Sequence, residues 1–380
     1  MTTRRLPLTS VLSLSLLGLA LVPAAGCADD GDPSGDVDDE TSGDGDGDPD
    51  PSGDGDGDPD PSGDGDGDPD PSGDGDGDPD PSGDGDPTDG EDLTPPTVVM
   101  TSPAADATGV LADAVIEISF SEAMDKASVQ TAWQSSELPA SEVTFGWNAE
   151  GTVLTVTPNA PLAIAEIATL DDPAESFAFA LDGIATDLAG NPLDPALDVS
   201  FSTARRWTTS IEPYSEMTKY VGSNGSVGPF ELDNRVGDNA GNVAYRTFVS
   251  YALGALPADL LVLESAHFHL EAWSTIGDPF EIDNGLGAIN LHAVDFEQID
   301  NATYNLVPAD GDLVGSVLAM LNPNEIVKDV TAWVVEDVDA MALYTQFRLA
   351  TPTPTNDDDN ADYVTIHEAD IPLEVTVLIP

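Results

Sequence analysis

Cysteine occurs once in the 380 residues, at position 27, so no disulfide can form within the chain and every folded part rests on its own core. Basic residues are also scarce: 10 Lys and Arg stand against 72 Asp and Glu, a formal net charge of -62. Phosphate would be repelled, which excludes nucleic acid and anionic lipid headgroups as natural partners of the folded part. The same charge favours divalent cations, basic surfaces, or high solubility in a salty medium. No Gly-x-Ser-x-Gly, His-Glu-x-x-His or phosphate-loop motif is present, and the lone cysteine leaves little room for thiol chemistry. Acids are too abundant for a catalytic carboxylate pair to stand out. The sequence therefore points away from an enzyme.

Apolar residues make up 40% of the chain but are unevenly spread. The only long greasy stretch of the first quarter is Val11 to Val22, preceded by Arg4-Arg5 and followed by "VPAAGC", Val22 to Cys27. This run is too short for an ordinary span and carries a processing site, so residues 1–26 read as a secretory signal. Small-Ala-Gly-Cys at this place resembles the lipobox of bacterial lipoproteins. The resemblance implies that Cys27 becomes the mature N-terminus and carries the lipid chains that anchor the protein to a membrane. Ala28 follows, with Asp29 only after it. Under the retention rule of some diderm bacteria this implies the outer membrane.

Residues 28–92 contain 28 acids and no Lys or Arg, and "PSGDGDGDPD" recurs at 51–60, 61–70 and 71–80. Such a segment cannot bury enough apolar surface to offset the entropy of ordering. Like charges and proline keep it extended, at roughly 3 Å per residue. The reading is a disordered acidic linker over 27–93, acting as a stalk. Its Asp-x-Asp spacing suits loose cation binding but lacks the closing Glu of a calcium loop.

From Thr94 the composition changes to short β-rich runs separated by turn clusters. They are "VIEISF" (115–120), "VTFGW" (143–147), "TVLTVTP" (152–158), "SFAFAL" (176–181) and "DVSFST" (198–203). This pattern predicts a β-sandwich over 94–206. Five pieces, "PPTVVMTSPAADATGV", "ISFSEAMDKASV", "GTVLTVTPNAPLA", "ATDLAGNPL" and "VSFSTA", resemble in order the bacterial SbsA-type Ig-like domains. That family serves mainly as spacers and adhesion scaffolds on cell surfaces.

Residues 207–380 predict a second, larger, jelly-roll-like sandwich, which makes the chain all-β. Strands are expected at Tyr245–Leu253, Val262–Trp273, Ala288–Phe296, Val327–Val335, Tyr344–Leu349 and Leu373–Leu378, with a helical period only over Leu313–Leu321. "RVGDNAGNVAYRTFVSYALGALPADLLVLESAHFHLEAW", "VKDVTAWVVEDVDAMALYTQFRL" and "EADIPLEVTVL" resemble the DNRLRE (disaggregatase-related) domain. Some relatives of that fold bind acidic polysaccharides.

Two acidic loops of this segment offer hard oxygen ligands of the kind calcium prefers. Asp357, Asp359 and Asp362 form the first candidate set, with Asp358, Asn356 and Asn360 beside them. Asp233 and Asp238 form the second, with Asn234 and Asn239. Trp273 and Tyr363 are candidate stacking surfaces for sugar rings. His267, His269 and Glu271 alternate along one strand, and His292 on another could add a third nitrogen, but alternation of polar and apolar residues explains the pattern without a metal. The expectation is a lipid-anchored surface protein whose terminal sandwich contacts a polysaccharide or a neighbouring surface protein. A structural envelope spacer is the alternative, and a secreted hydrolase or its accessory the third.

Overall fold

The computed structural model describes residues 91–229, 234–271, 273–308, 312–318 and 326–380. The leader, Cys27, the acidic repeats to residue 90, and Asp233 lie outside these described residues. Within them the chain is all-β and sandwich-like.

In the first segment the elements are β1 (Val98–Ser102), β2 (Ala107–Val110), β3 (Ile116–Phe120), α1 (Lys126–Ala132), β4 (Trp133–Gln134), β5 (Val143–Trp147), β6 (Val153–Pro158), β7 (Ala165–Ile167), β8 (Ser176–Leu181) and β9 (Leu197–Thr203). They make two four-stranded sheets, ordered β1-β3-β6-β5 and β2-β9-β8-β4. Alternation places Ile116, Ile118 and Phe120 of β3 opposite Phe177, Phe179 and Leu181 of β8 in one shared core. Helix α1 starts where it does because the Asp125 carboxylate accepts the N–H groups of Ala127 and Ser128, both at 2.9 Å. The Asp187–Asn191 turn closes similarly, with Asn191 N–H donating to Asp187 Oδ1 at 2.8 Å.

The second segment holds β10 (Arg205–Ile211), β11 (Lys219–Gly222), β12 (Asn234–Asp238), β13 (Ala244–Ala252), β14 (Val262–Leu270), β15 (Ser274–Ile276), β16 (Ile289–Ala293), β17 (Leu313–Leu318), β18 (Ile326–Asp329), α2 (Thr331–Asp339), β19 (Tyr344–Ala350), β20 (Asp362–Ile366) and β21 (Leu373–Ile379). A five-stranded sheet runs β18-β14-β21-β10-β7, and an eight-stranded one β15-β20-β12-β13-β19-β16-β17, with β11 also paired to β13. Phe268, Leu373 and Val375 from the first meet Val249, Tyr251, Phe347 and Val364 from the second in the large core.

One strand belongs to both segments. β7 comes from the first but pairs in parallel with β10, Ala165 to Ile167 facing Arg205 to Trp207. Ile167 is buried in the large core, not in the small one. The division expected after residue 206 falls inside β10.

Two elements differ from expectation. The run Val327–Val335 is a short strand followed by α2; an Asx turn in which Asp329 Oδ1 accepts Thr331 N–H at 2.9 Å precedes the helix, whose N-cap Val330 makes no side-chain bond. Its β-branched valines imitate a strand, but Val330 and Val334 are the buried positions, one helical turn apart. Conversely, Leu313–Leu318 is a strand, irregularly paired with β16. Its apolar pairs at 313–314 and 317–318 imitate helical spacing.

The fully buried Tyr251 donates its hydroxyl to the Ile371 carbonyl at 2.6 Å. Tyr251→Phe leaves that carbonyl unpaired and is expected to cost about 1–3 kcal/mol. Urea unfolding should show a lower midpoint with an unchanged slope.

Candidate functional site

The two acidic loops read separately from sequence come together. Asp238, the last residue of β12, lies directly opposite Asp362, the first of β20. Asp238 is 0% exposed and Asp362 7%. The strands approach closely here because Gly237 has φ +127, and a Cβ on it would sit 2.2 Å from the Asp362 carbonyl oxygen. The Thr355 hydroxyl and the Asn356 backbone N–H are the donors nearest the Asp238 carboxylate, but neither makes a hydrogen bond of full geometry to it. Burial pushes its pKa up, Thr355 and the Asn356 backbone temper the shift, and the charges of Asp362 and Asp358 add to it.

The remaining groups are better satisfied. Asp362 Oδ1 accepts Asp278 N–H at 2.7 Å. The Asn356 amide nitrogen donates to the Asn284 carbonyl at 2.9 Å and to Asp358 Oδ2 at 3.2 Å, while its buried Oδ1 has no partner. Asn360 holds Asp358 below the usual carboxylate range. Asp357 and Asp359 adopt left-handed backbone and stand exposed on the outer side of the loop. There Asp359 Oδ1 accepts from Asn242 Nδ2 at 3.0 Å, tying the loop to the β12–β13 turn. The structure therefore brings together Asp238 and Asp362, which the sequence reading placed in two separate candidate sets. It adds Asp358 to them and leaves Asp357 and Asp359 outside.

Tyr363 belongs to a cluster that sequence reading missed. The Arg235 guanidinium lies 5.4 Å from the Tyr220 ring centre, 5.8 Å from Tyr245 and 5.1 Å from Tyr363. Tyr220, Arg235 and Tyr363 are half-buried and Tyr245 is buried. The Arg235 Nε is buried without a partner. These four residues come from β11, β12, β13 and β20, so no local spacing could have joined them. Trp273 instead packs its half-buried ring against the large core.

The other arginines of this sheet hold backbone. Arg246 sits 4.4 Å over the Tyr304 ring and donates to the Tyr304 carbonyl at 2.6 Å. Arg348 donates to the Leu306 carbonyl at 2.7 Å, and burial followed by Arg246 brings its pKa down to about 10. His292 pairs with Arg348 across β16 and β19, which places it in a different sheet from His267 and His269 of β14. His267 faces Asp329 and Glu374. Among the described residues His292 is not grouped with the His-x-His pair, as the reading of these histidines as ordinary strand residues expects.

In the first segment Asp92, Glu122 and Asp187 bring carboxylate oxygens within 4.8 Å of one another. Burial, with Asp92 and Asp187 beside it, raises the Glu122 pKa. Asp187, however, is satisfied by Asn191, which donates its backbone N–H to Oδ1 and its side-chain amide to Oδ2, each at 2.8 Å.

Burial lowers the His292 pKa to about 4. The unfolded chain, with an ordinary histidine near 6.5, takes up this proton first, so His292 lowers stability as pH falls from about 6.5 to 4. His292→Gln removes that dependence. The parent-minus-variant difference in urea midpoints at pH 7 and pH 4.5 should correspond to about 1–2 kcal/mol after solvent screening.

Among solved structures, an L,D-transpeptidase from Mycobacterium smegmatis is 16% identical with a TM-score of 0.21, over 55% of this chain and 72% of its own. The S-layer protein rSbsC is 11% identical with a TM-score of 0.20, over 62% and 32%. The Bacteroides ovatus protein SGBP-B, solved with a mixed-linkage heptasaccharide, is 9% identical with a TM-score of 0.14, over 76% and 75%. Similarity this low assigns no function. No curated protein matches the chain. Residues 92–203 match the family model of the bacterial Ig-like domain, and this segment of the chain is an Ig-like domain.

Proposed function

We propose that the chain is a lipid-anchored protein of the bacterial cell envelope, exposed at the outer membrane, that presents a β-sandwich binding module for polysaccharide. In this reading Cys27 carries the lipid and the acidic repeats hold the β-rich body away from the membrane. The Ig-like domain is of the SbsA type, and the second sandwich is a DNRLRE-type module. The role is binding, not catalysis.

The observation that carries the reading is the Arg235 cluster. Tyrosine rings stack on sugar faces with little loss of side-chain entropy, and a guanidinium held among them adds a charged donor for sugar hydroxyls or carboxylates. In a chain with 10 bases, Arg246 and Arg348 hold backbone carbonyls, while Arg235 lies among three tyrosine rings. The shared strands β7 and β10 favour the second reading, a spacer without a ligand, since such a joint suits a load-bearing part.

A glycan array probed with residues 91–380 separates the two. The binding reading expects retained glycans, with Tyr363→Ala weakening them at least tenfold, whereas an array with no retained glycan supports the spacer. The anchor has its own test. Cys27→Ser should move the full chain out of detergent-requiring membrane fractions or leave it unprocessed, and unchanged membrane association would refute lipidation.

A further inference from the structure

The carboxylate of Asp238 is fully buried, and neither of its oxygens makes a hydrogen bond of full geometry. A second buried carboxylate, Asp362, faces it across the strand pair. Two such groups side by side repel each other and have lost the water that would solvate them. Among the described residues no lysine or arginine pairs with Asp238. Around Asp238 stand Asp362, the Thr355 hydroxyl and the Asn356 backbone N–H, with Asp358 nearby, while the Asn356 side-chain amide nitrogen lies 3.4 Å from Asp362 Oδ2.

We propose that these groups form a calcium site. Asp238 and Asp362 supply the charge, the Thr355 hydroxyl supplies a neutral oxygen, and Asp358 adds charge from the rim. Calcium takes six to eight such oxygens in flexible geometry, whereas magnesium keeps several of its waters and fits a buried carboxylate pair poorly. The ion neutralises both carboxylates and fastens the loop 351–361 to the β12–β20 pair. The loop lies beside Tyr363, so the site braces the Arg235 cluster without depending on what that cluster binds.

The test is thermal melting and calorimetric titration of residues 91–380 with calcium chloride, magnesium chloride, and sodium chloride at matched ionic strength. Calcium is expected to bind at about 0.1–1 mM, as extracellular modules do, and to raise the melting temperature by several degrees. Magnesium should give less and sodium none. Asp238→Asn should abolish the rise yet melt no lower than the parent in chelator, since it replaces a buried charge by a neutral isostere. Asp362→Asn should lose the response likewise. Asp92→Asn, in the carboxylate cluster of the Ig-like domain, should keep it. The proposal is overturned if sodium chloride reproduces the rise, if calcium produces none, or if Asp238→Asn retains it.

Discussion

Strand β10 is hydrogen-bonded along both edges, and the arrangement of the β-rich body follows from that. On one side it runs antiparallel to β21 over its whole length, Arg205 to Ile211 against Ile379 to Leu373. On the other it accepts β7, a strand contributed by the Ig-like domain. Burying Ile167 in the larger core makes the end of the first sandwich part of the second. Arg205 fixes the corner by donating to the Pro380 carbonyl at 2.7 Å and to the Leu170 and Asp172 carbonyls at 2.7 and 2.9 Å. Arg206 reaches Glu264 of β14 and Glu166 of β7 together. The five-stranded sheet thereby has a short strand at this edge in place of a long exposed one, which also guards against edge-to-edge association.

The scarcity of bases sharpens what each one does. Arg205 and Arg206 join the two sandwiches, Arg246 and Arg348 hold the Tyr304–Leu306 backbone, and Arg235 lies among tyrosines. Carboxylates far outnumber these partners, so a buried one such as Asp238 must find something other than an arginine.

Much of the fold was legible in the sequence because strands that alternate in burial announce themselves. β5 and β8 match the expected runs at 143–147 and 176–181, and β3 and β9 differ by one residue. Strands with polar or tyrosine-rich sequence did not announce themselves. β12 and β20 hid inside what read as acidic loops, since Asp238 and Asp362 are buried strand ends and not loop residues. Acid content marked both loops, but it could not show that Asp357 and Asp359 are exposed, and the pairing of Asp238 with Asp362 depends on a strand register across more than a hundred residues. The Arg235 cluster was invisible for the same reason, with four strands contributing one residue each. Strand β10 begins with two arginines and carries Thr208, Thr209 and Ser210, so its polar look concealed the joint on which both sandwiches depend.

The central claim is that the shared strands make the Ig-like domain and the second sandwich one cooperative body. Differential scanning calorimetry of residues 91–380 tests it directly. A single transition, with calorimetric and van't Hoff enthalpies equal, is the predicted result. Two separable transitions, with the Ig-like domain melting independently of the second sandwich, would contradict it.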